Sequence, residues 1–316
     1  MASLIEIKNL KKYYQVPAGT LHAVDDVSFS IGERETVGLV GESGCGKSTI
    51  GRTILRLVPH TSGQVFYQGE DILTYSPRQM IKLRRELQII FQDPYSCLDP
   101  RKTIGQIIAE PLVINRKDLS RRQINELVLD LMERGGVSAR LYNSYPHELD
   151  GGRRQRVGII RALSLNPKFI VCDEPVSSLD VSIQAQILNL LQTLQESMGL
   201  TYLFISHDLS VVRHVSNRVM VMYLGQVMEL CEAKELFKNP LHPYTQALLS
   251  AVPIAEYRET PRKRILLKGD VPSPINPKPG CRFADRCNYA QELCHVQSPE
   301  MRTVSPGHQV CCHFCE

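Results

Sequence analysis

A chain of 316 residues can form one large domain with a small appendage, and its formal net charge of +4 is too mild to argue for a nucleic-acid groove or a polybasic membrane anchor. No run approaches the roughly 18 to 20 consecutive apolar residues of a transmembrane helix, and the start, MASLIEIKNLKKYY, lacks the apolar stretch of a signal peptide, so a cytoplasmic protein is expected. Ten cysteines in such a chain point to bound metal or buried thiols rather than to disulfides.

Taken in chain order, Leu4–Ile7, Ala23–Ile31, Thr36–Val40, Gln64–Tyr67 and Leu87–Phe91 are short β-rich runs separated by turns. From about 100 to 165 the period becomes helical. Ile104, Ile107 and Ile108 share one face, and Ile124, Leu127, Val128 and Leu131 share another, which predicts an inserted helical subdomain. Strand signals return at Phe169–Cys172, Tyr202–Ile205 and Val219–Tyr223, with a helical stretch over Ile183–Met198 between the first two, the alternation of a parallel sheet with crossover helices. After Pro253 the composition shifts. Arg258, Arg262, Lys263, Arg264 and Lys268 crowd together, and VPSPINPKPG then leads into a cysteine-rich tail. No tandem repeat is visible.

The segment Gly41-Glu42-Ser43-Gly44-Cys45-Gly46-Lys47-Ser48-Thr49 fits G-x-x-x-x-G-K-[ST] and lies between an apolar strand and a helical run, the context a phosphate-binding loop requires. Glycines let main-chain N–H groups wrap a triphosphate, Lys47 neutralises its outer phosphates, and the Ser48 hydroxyl coordinates Mg²⁺. A carboxylate at the end of another apolar strand is also needed. Phe169-Ile-Val-Cys-Asp173-Glu174 supplies Asp173 for the metal and Glu174 to orient and deprotonate the attacking water. Cys45, Cys97, Cys172 and Cys231 are scattered and are read as buried fillers.

Together these segments resemble the ABC (ATP-binding cassette) ATPases over most of residues 4 to 250. The resemblance implies an α/β fold: a P-loop (RecA-like) core with a β-rich N-terminal part, an inserted helical subdomain at about 93–165, and a small cysteine-rich C-terminal module. The cassette would occupy 1–254 and the linker and module 255–316. It also implies that Gln92 is the Q-loop glutamine contacting Mg²⁺ and water, that Ser177-Ser178-Leu179-Asp180 is the D-loop, and that His207 is the switch histidine. The adenine-stacking aromatic is expected at Tyr14, with Tyr13 close behind because the loop Gln15–Leu21 blurs the alignment.

One motif departs from that family. Its signature, Leu-Ser-Gly-Gly-Gln, corresponds to Leu149-Asp150-Gly151-Gly152-Arg153, so Asp150 stands where a serine caps the γ-phosphate bound by the opposing subunit. A carboxylate there loses the hydroxyl bond and adds repulsion of ~1 to 4 kcal/mol, depending on the local dielectric. Arg153 and Arg154 could offset it. The expectation is an asymmetric heterodimer in which the site using this signature is the weak one.

Asn239-Pro-Leu-His-Pro-Tyr-Thr-Gln-Ala-Leu-Leu-Ser-Ala-Val-Pro253 and the tail resemble the ATPase subunits of bacterial oligopeptide, dipeptide and nickel importers. This implies a peripheral protein on the cytoplasmic face of the inner membrane. Its partners would be a second ABC ATPase, two transmembrane permease subunits and an extracytoplasmic binding protein, with no nucleic acid involved. Cys281-x5-Cys287-x6-Cys294-x17-Cys312 offers four soft thiolates without the C-x2-C knuckles usual for zinc. The resemblance favours a [4Fe-4S] cluster over zinc or free thiols, with Cys311 or Cys315 as alternatives to Cys312. Nickel or another small solute is the alternative cargo, and a mainly regulatory subunit is the alternative role.

Overall fold

The computed structural model describes residues 3–252 and 264–315. The expected boundary at 254/255 and the basic residues Arg258, Arg262 and Lys263 lie outside the described residues. The chain forms two compact units, each assembled from separated segments.

One unit contains residues 3–31, 36–73 and the chain from Ser206 onward. Its antiparallel sheet has the order Gly19–Gly32, Ser3–Val16, Ser62–Tyr67 and Glu70–Asp71, with Ile5 opposite Tyr67 and Ile7 opposite Val65. The first hairpin is longer than its apolar runs suggest. Strand continues through Val16 and resumes at Gly19, so most of the predicted loop Gln15–Leu21 is extended chain. A second group of strands starts at Thr36–Val40, which is parallel to Arg218–Tyr223 with Val37 opposite Arg218. Arg218–Tyr223 pairs antiparallel with Gln226–Glu232, and the tail adds His308–Val310 and then Arg302–Ser305. All five residues of Thr36–Val40 are buried, which explains an unbroken apolar run rather than an alternating one.

The other unit is built mainly from residues 74–205. Leu87–Ile90, Phe169–Asp173 and Thr201–Ile205 lie parallel, with Leu87 opposite Phe169 and Asp173 opposite Ile205. The helices Ile104–Asn115 and Arg121–Arg134 both begin at capping boxes, Thr103 with Gln106 and Ser120 with Gln123. They pack with Gly151–Leu163 around Leu98, Ile104, Ile107, Ile108, Leu112, Ile124, Val128, Met132, Val157 and Ile160. On the second helix the buried stripe is Ile124, Val128 and Met132. Leu131 packs at its margin and Leu127 is exposed, so the seam follows the i, i+4, i+8 row rather than the face that Leu127 and Leu131 would define. Among the described residues no helix is long and apolar enough to cross a membrane.

Candidate functional site: a phosphate loop and its supporting shell

The phosphate loop joins the buried strand Thr36–Val40 to the helix Lys47–Ile54. Gly41, Gly44 and Gly46 have φ of 156°, 78° and 104°. A Cβ on Gly46 would lie 2.0 Å from the carbonyl oxygen of Ala23, and one on Gly41 would lie 2.1 Å from that of Met222. These two positions therefore require glycine for both conformation and space. Nothing lies within 4 Å of a Cβ built on Gly44, so the loop is closed at its ends and open in its middle, where Ser43 and Gly44 are exposed. That is a cradle of main-chain N–H groups at a helix N-terminus, a fit for a polyphosphate. Lys47 is 4% exposed, and its Nζ donates to the carbonyls of Gly41 and Glu42, both at 2.9 Å. Ser48 and Thr49 follow in the first helical turn. Burial raises the Cys45 thiol, consistent with a filler and not a reactive group.

In the same unit, Ser206 N–H donates to the Leu39 carbonyl at 3.1 Å, fixing the segment that presents His207. His207 is exposed, and Asp208 caps the helix Leu209–Val215 by accepting from Ser210 N–H at 2.7 Å. Tyr14 is half-buried with the Lys12 ammonium 4.3 Å from its ring centroid. Tyr13 is committed elsewhere: its ring stacks on His22 at 4.0 Å and its hydroxyl donates to Asp25. Burial and the Asp25 bond raise the Tyr13 hydroxyl well above its usual range. Of the two candidates, Tyr14 is the one without a stacked neighbour ring among the described contacts.

The carboxylates belong to the other unit. Asp173 ends a fully buried strand and is 1% exposed, while Glu174 adopts φ 48° and its N–H donates to the Ile205 carbonyl at 3.0 Å. A left-handed glutamate is strained, the kind of conformation retained where side-chain direction matters. Gln92 donates through Nε2 to Glu174 Oε2 at 3.1 Å, so the structure brings these two expected residues together. Asp180 caps the helix Val181–Met198, accepting from Ile183 N–H at 2.9 Å.

Asp150 caps the helix Gly151–Leu163. Its carboxylate accepts from Arg153 N–H at 2.7 Å and pairs with Arg153 Nε at 3.4 Å. Arg154 takes no part in this. It donates through Nε to the Pro146 carbonyl at 2.8 Å and through Nη2 to that of Leu149, and its guanidinium lies 3.6 Å from the Tyr95 ring centroid. A Cβ on Gly152 would lie 2.6 Å from Ile183 Cγ2, so that glycine permits close helix packing.

In the tail, Cys281, Cys287, Cys294, Cys312 and Cys315 line one cavity of ≈ 450 Å³ with Phe283. Cys311 is absent from that lining, and its sulfur donates to the Pro299 carbonyl at 3.2 Å. No three tail sulfurs among the described residues lie within 4.8 Å of one another. A single zinc ion with bonds of ~2.3 Å would need its thiolates closer than ~4 Å, so the thiols as placed do not form a ready zinc site. Burial pushes the Cys281 thiol up to about 11.

Contacts that motif reading does not reveal tie the loop and the neighbouring strands to the tail. Glu42 N–H donates to Tyr244 Oη at 3.0 Å, and its carboxylate accepts from Arg286 Nη1 at 3.0 and 2.8 Å. Arg282 pairs with Asp25. Although burial works to raise the Asp25 carboxyl, bonds to Tyr13 and His22 and the Arg282 charge hold it below the usual range. Glu229, fully buried, accepts from Leu241 N–H, His242 N–H and His308 Nε2 at 2.8, 2.9 and 2.7 Å, locking the tail hairpin to the sheet. The sequence offers only ordinary charged residues at these places, separated by up to 257 positions.

A glycine-bounded loop feeding a helix, with a buried lysine folded onto it, defines a P-loop nucleotide-binding protein. Residues 24–177 match the ABC transporter family, and residues 228–294 match the oligopeptide/dipeptide transporter C-terminal region. The oligopeptide transport ATP-binding protein AppF of Bacillus subtilis is 52% identical over 99% of this chain and 97% of its own length. OppF of Haemophilus influenzae, another oligopeptide transport ATP-binding protein, is 50% identical over 97% of this chain and 93% of its own. Among solved structures, a dimeric post-hydrolysis state of the ATP-binding cassette MJ0796 bound to ADP and Pi superposes with a TM-score of 0.67 at 30% identity, covering 72% of this chain and 98% of that one. The chain belongs to the ABC transporter family, as an α/β ATP-binding subunit of the oligopeptide/dipeptide type. Like the cassettes it resembles, it is an ATPase.

Proposed function

We propose that this chain powers uptake of di- and oligopeptides as one half of a heterodimeric ATPase pair. It would sit on the cytoplasmic face of the inner membrane with two permease subunits and an extracytoplasmic binding protein. The observation that carries the cargo class is the near-complete alignment, at about half identity, with oligopeptide transport ATP-binding proteins. Nickel or another small solute remains the alternative cargo. In this reading residues 1–254 form the cassette, and 255–316 form the linker and module.

In the proposed site Tyr14 stacks on adenine, the main chain of Gly41, Ser43, Gly44, Cys45 and Gly46 binds phosphate oxygens, and Lys47 exchanges its two carbonyl partners for the outer phosphates. Ser48, Gln92 and Asp173 are the residues that would hold Mg²⁺, which when bound neutralises phosphate charge; Thr49 supports the same helical turn. Glu174 takes the proton of the attacking water, and its bond to Gln92 keeps its carboxylate oriented. His207 faces the γ-phosphate. Asp150, Gly151, Gly152 and Asp180 serve the paired subunit's nucleotide, and the dimeric state of MJ0796 with ADP and Pi supports that arrangement. Asp150 makes this chain's signature the weaker one. Cys281, Cys287, Cys294 and Cys312 would hold a [4Fe-4S] cluster in the tail cavity, with Cys315 the alternative fourth ligand.

The test is ATP turnover by the complete transporter with its loaded binding protein, comparing Glu174 with Glu174→Gln while the partner ATPase is unchanged. Near-complete loss is expected. Retained turnover would assign hydrolysis to the partner and leave this chain a regulatory subunit.

A further inference from the structure

We propose that Arg286, in the cysteine-rich tail, is a positioning residue for ATP. It holds the phosphate loop in its binding shape, and neutralises it, through the carboxylate of Glu42. Glu42 is the second residue of the loop, and each of its polar groups is engaged. Its N–H donates to Tyr244 Oη at 3.0 Å, its carbonyl accepts from Lys47 Nζ at 2.9 Å, and its carboxylate accepts from Arg286 Nη1. The carbonyl that steadies the catalytic lysine thus belongs to the residue that the tail grips.

Arg286 is aimed by its own neighbourhood. It ends the single turn Ala284–Arg286 between Cys281 and Cys287, and is 8% exposed. Phe283, 1% exposed, anchors that turn against Tyr223 and Tyr244, each ring centroid 5.3 Å away. Arg286 Nη1 also reaches Tyr223 Oη at 3.4 Å. Electrostatics gives the pair its consequence. A carboxylate in a loop that must receive a triphosphate repels it, and in a half-buried setting that repulsion is poorly screened. The guanidinium cancels the charge where the anion arrives.

A second set of tail contacts reaches the hairpin that carries Tyr14. Arg282 pairs with Asp25, which also binds Tyr13 and His22. Asn276 N–H donates to the Thr20 carbonyl and its Oδ1 accepts from Thr20 N–H, both at 2.9 Å, while His22 N–H donates to the Pro274 carbonyl at 3.0 Å. The tail therefore braces both the phosphate loop and the adenine-side hairpin. The proposal rests on the phosphate loop being the ATP site, and it holds whether or not the tail binds a metal cluster.

The experiment uses the complete transporter and reads the KM for ATP against kcat. Arg286→Met is expected to raise KM about tenfold with kcat changed less than about twofold, because the loss falls on binding. Arg286→Lys should keep KM within about threefold of the native value. The double variant Glu42→Gln with Arg286→Met should recover most of the loss, since the uncompensated carboxylate is gone. An unchanged KM in Arg286→Met, or a double variant as impaired as the single one, overturns the proposal. Linkage supplies a check without mutation: saturating ATP should slow hydrogen exchange over Gly280–Cys287, and an unaltered tail would equally overturn it. Lys47→Ala separates the two assumptions. If it leaves ATP binding intact, the loop assignment fails and this proposal falls with it; if it abolishes binding while Arg286→Met leaves KM unchanged, the brace alone fails.

Discussion

The phosphate loop and the cysteine-rich tail lie in one compact unit yet are held by opposite means. The loop is fixed by main-chain geometry. Its glycines adopt conformations other residues avoid, two of them abut carbonyl oxygens, and the lysine bonds within six positions of itself. The tail has little regular structure and is fastened by side chains reaching far along the sequence: Arg286 to Glu42, Arg282 to Asp25, His308 to Glu229. Local main-chain constraints leave a sequence signature. Long-range charge pairs leave none, because each partner is an ordinary residue until the fold brings it opposite the other.

The contrast is broken most severely at Gly46. Gly46→Ala places a methyl group 2.0 Å from the Ala23 carbonyl at φ 104°, so the loop must shift. Strain of about 1 to 3 kcal/mol is expected, together with loss of ATP turnover of at least about a hundredfold, from the misplaced cradle. Thermal melting and steady-state turnover of the transporter measure the two effects. Turnover within about threefold of native would mean that the loop tolerates what its geometry forbids.

A smaller effect, and one that sharpens the comparison from the other side, concerns the tail thiols. Anaerobically prepared protein is expected to carry iron and sulfide with broad visible absorbance, and Cys287→Ser to lose them. Cys311→Ser should keep them, because Cys311 lies outside the cavity lining. Removing the metal should weaken ATP binding by a few-fold rather than abolish it, since the tail braces the loop without forming it. Protein lacking iron under both aerobic and anaerobic preparation would remove the cluster reading.

How much was legible divides along the same line. The loop, the acidic strand end at Asp173 and Glu174, and the parallel strands follow from apolar runs and glycine placement that local sequence carries. The seam of Arg121–Arg134 is only half legible: helical spacing gives Ile124 and Val128, but it favours Leu127, which is exposed, over the buried Met132, because two helical rows differ by one residue. The braces at Glu42 and Asp25 are not legible, since no periodicity or spacing links a residue to one about 250 positions away. Asp150 has a second role, which the structure shows. An aspartate just ahead of a helix is a good N-cap, and that local role competes with its reading as a misplaced phosphate contact.

Asp150 offers the mildest and most discriminating test, because its two roles respond differently to three substitutions. The observed carboxylate accepts the Arg153 N–H, which serine or asparagine can also do but alanine cannot. Asp150→Ala should therefore lose about 1 kcal/mol of stability while Asp150→Ser and Asp150→Asn melt near the native temperature. If the charge also weakens the paired subunit's ATP site, Asp150→Ser should raise nucleotide occupancy there and speed turnover by a few-fold. Asp150→Asn should share part of that gain, since it removes the charge without supplying the hydroxyl. Equal occupancy and turnover in native, serine and asparagine proteins would reduce the residue to a helix cap. The proposed asymmetry of the two ATP sites would then have no source in this chain.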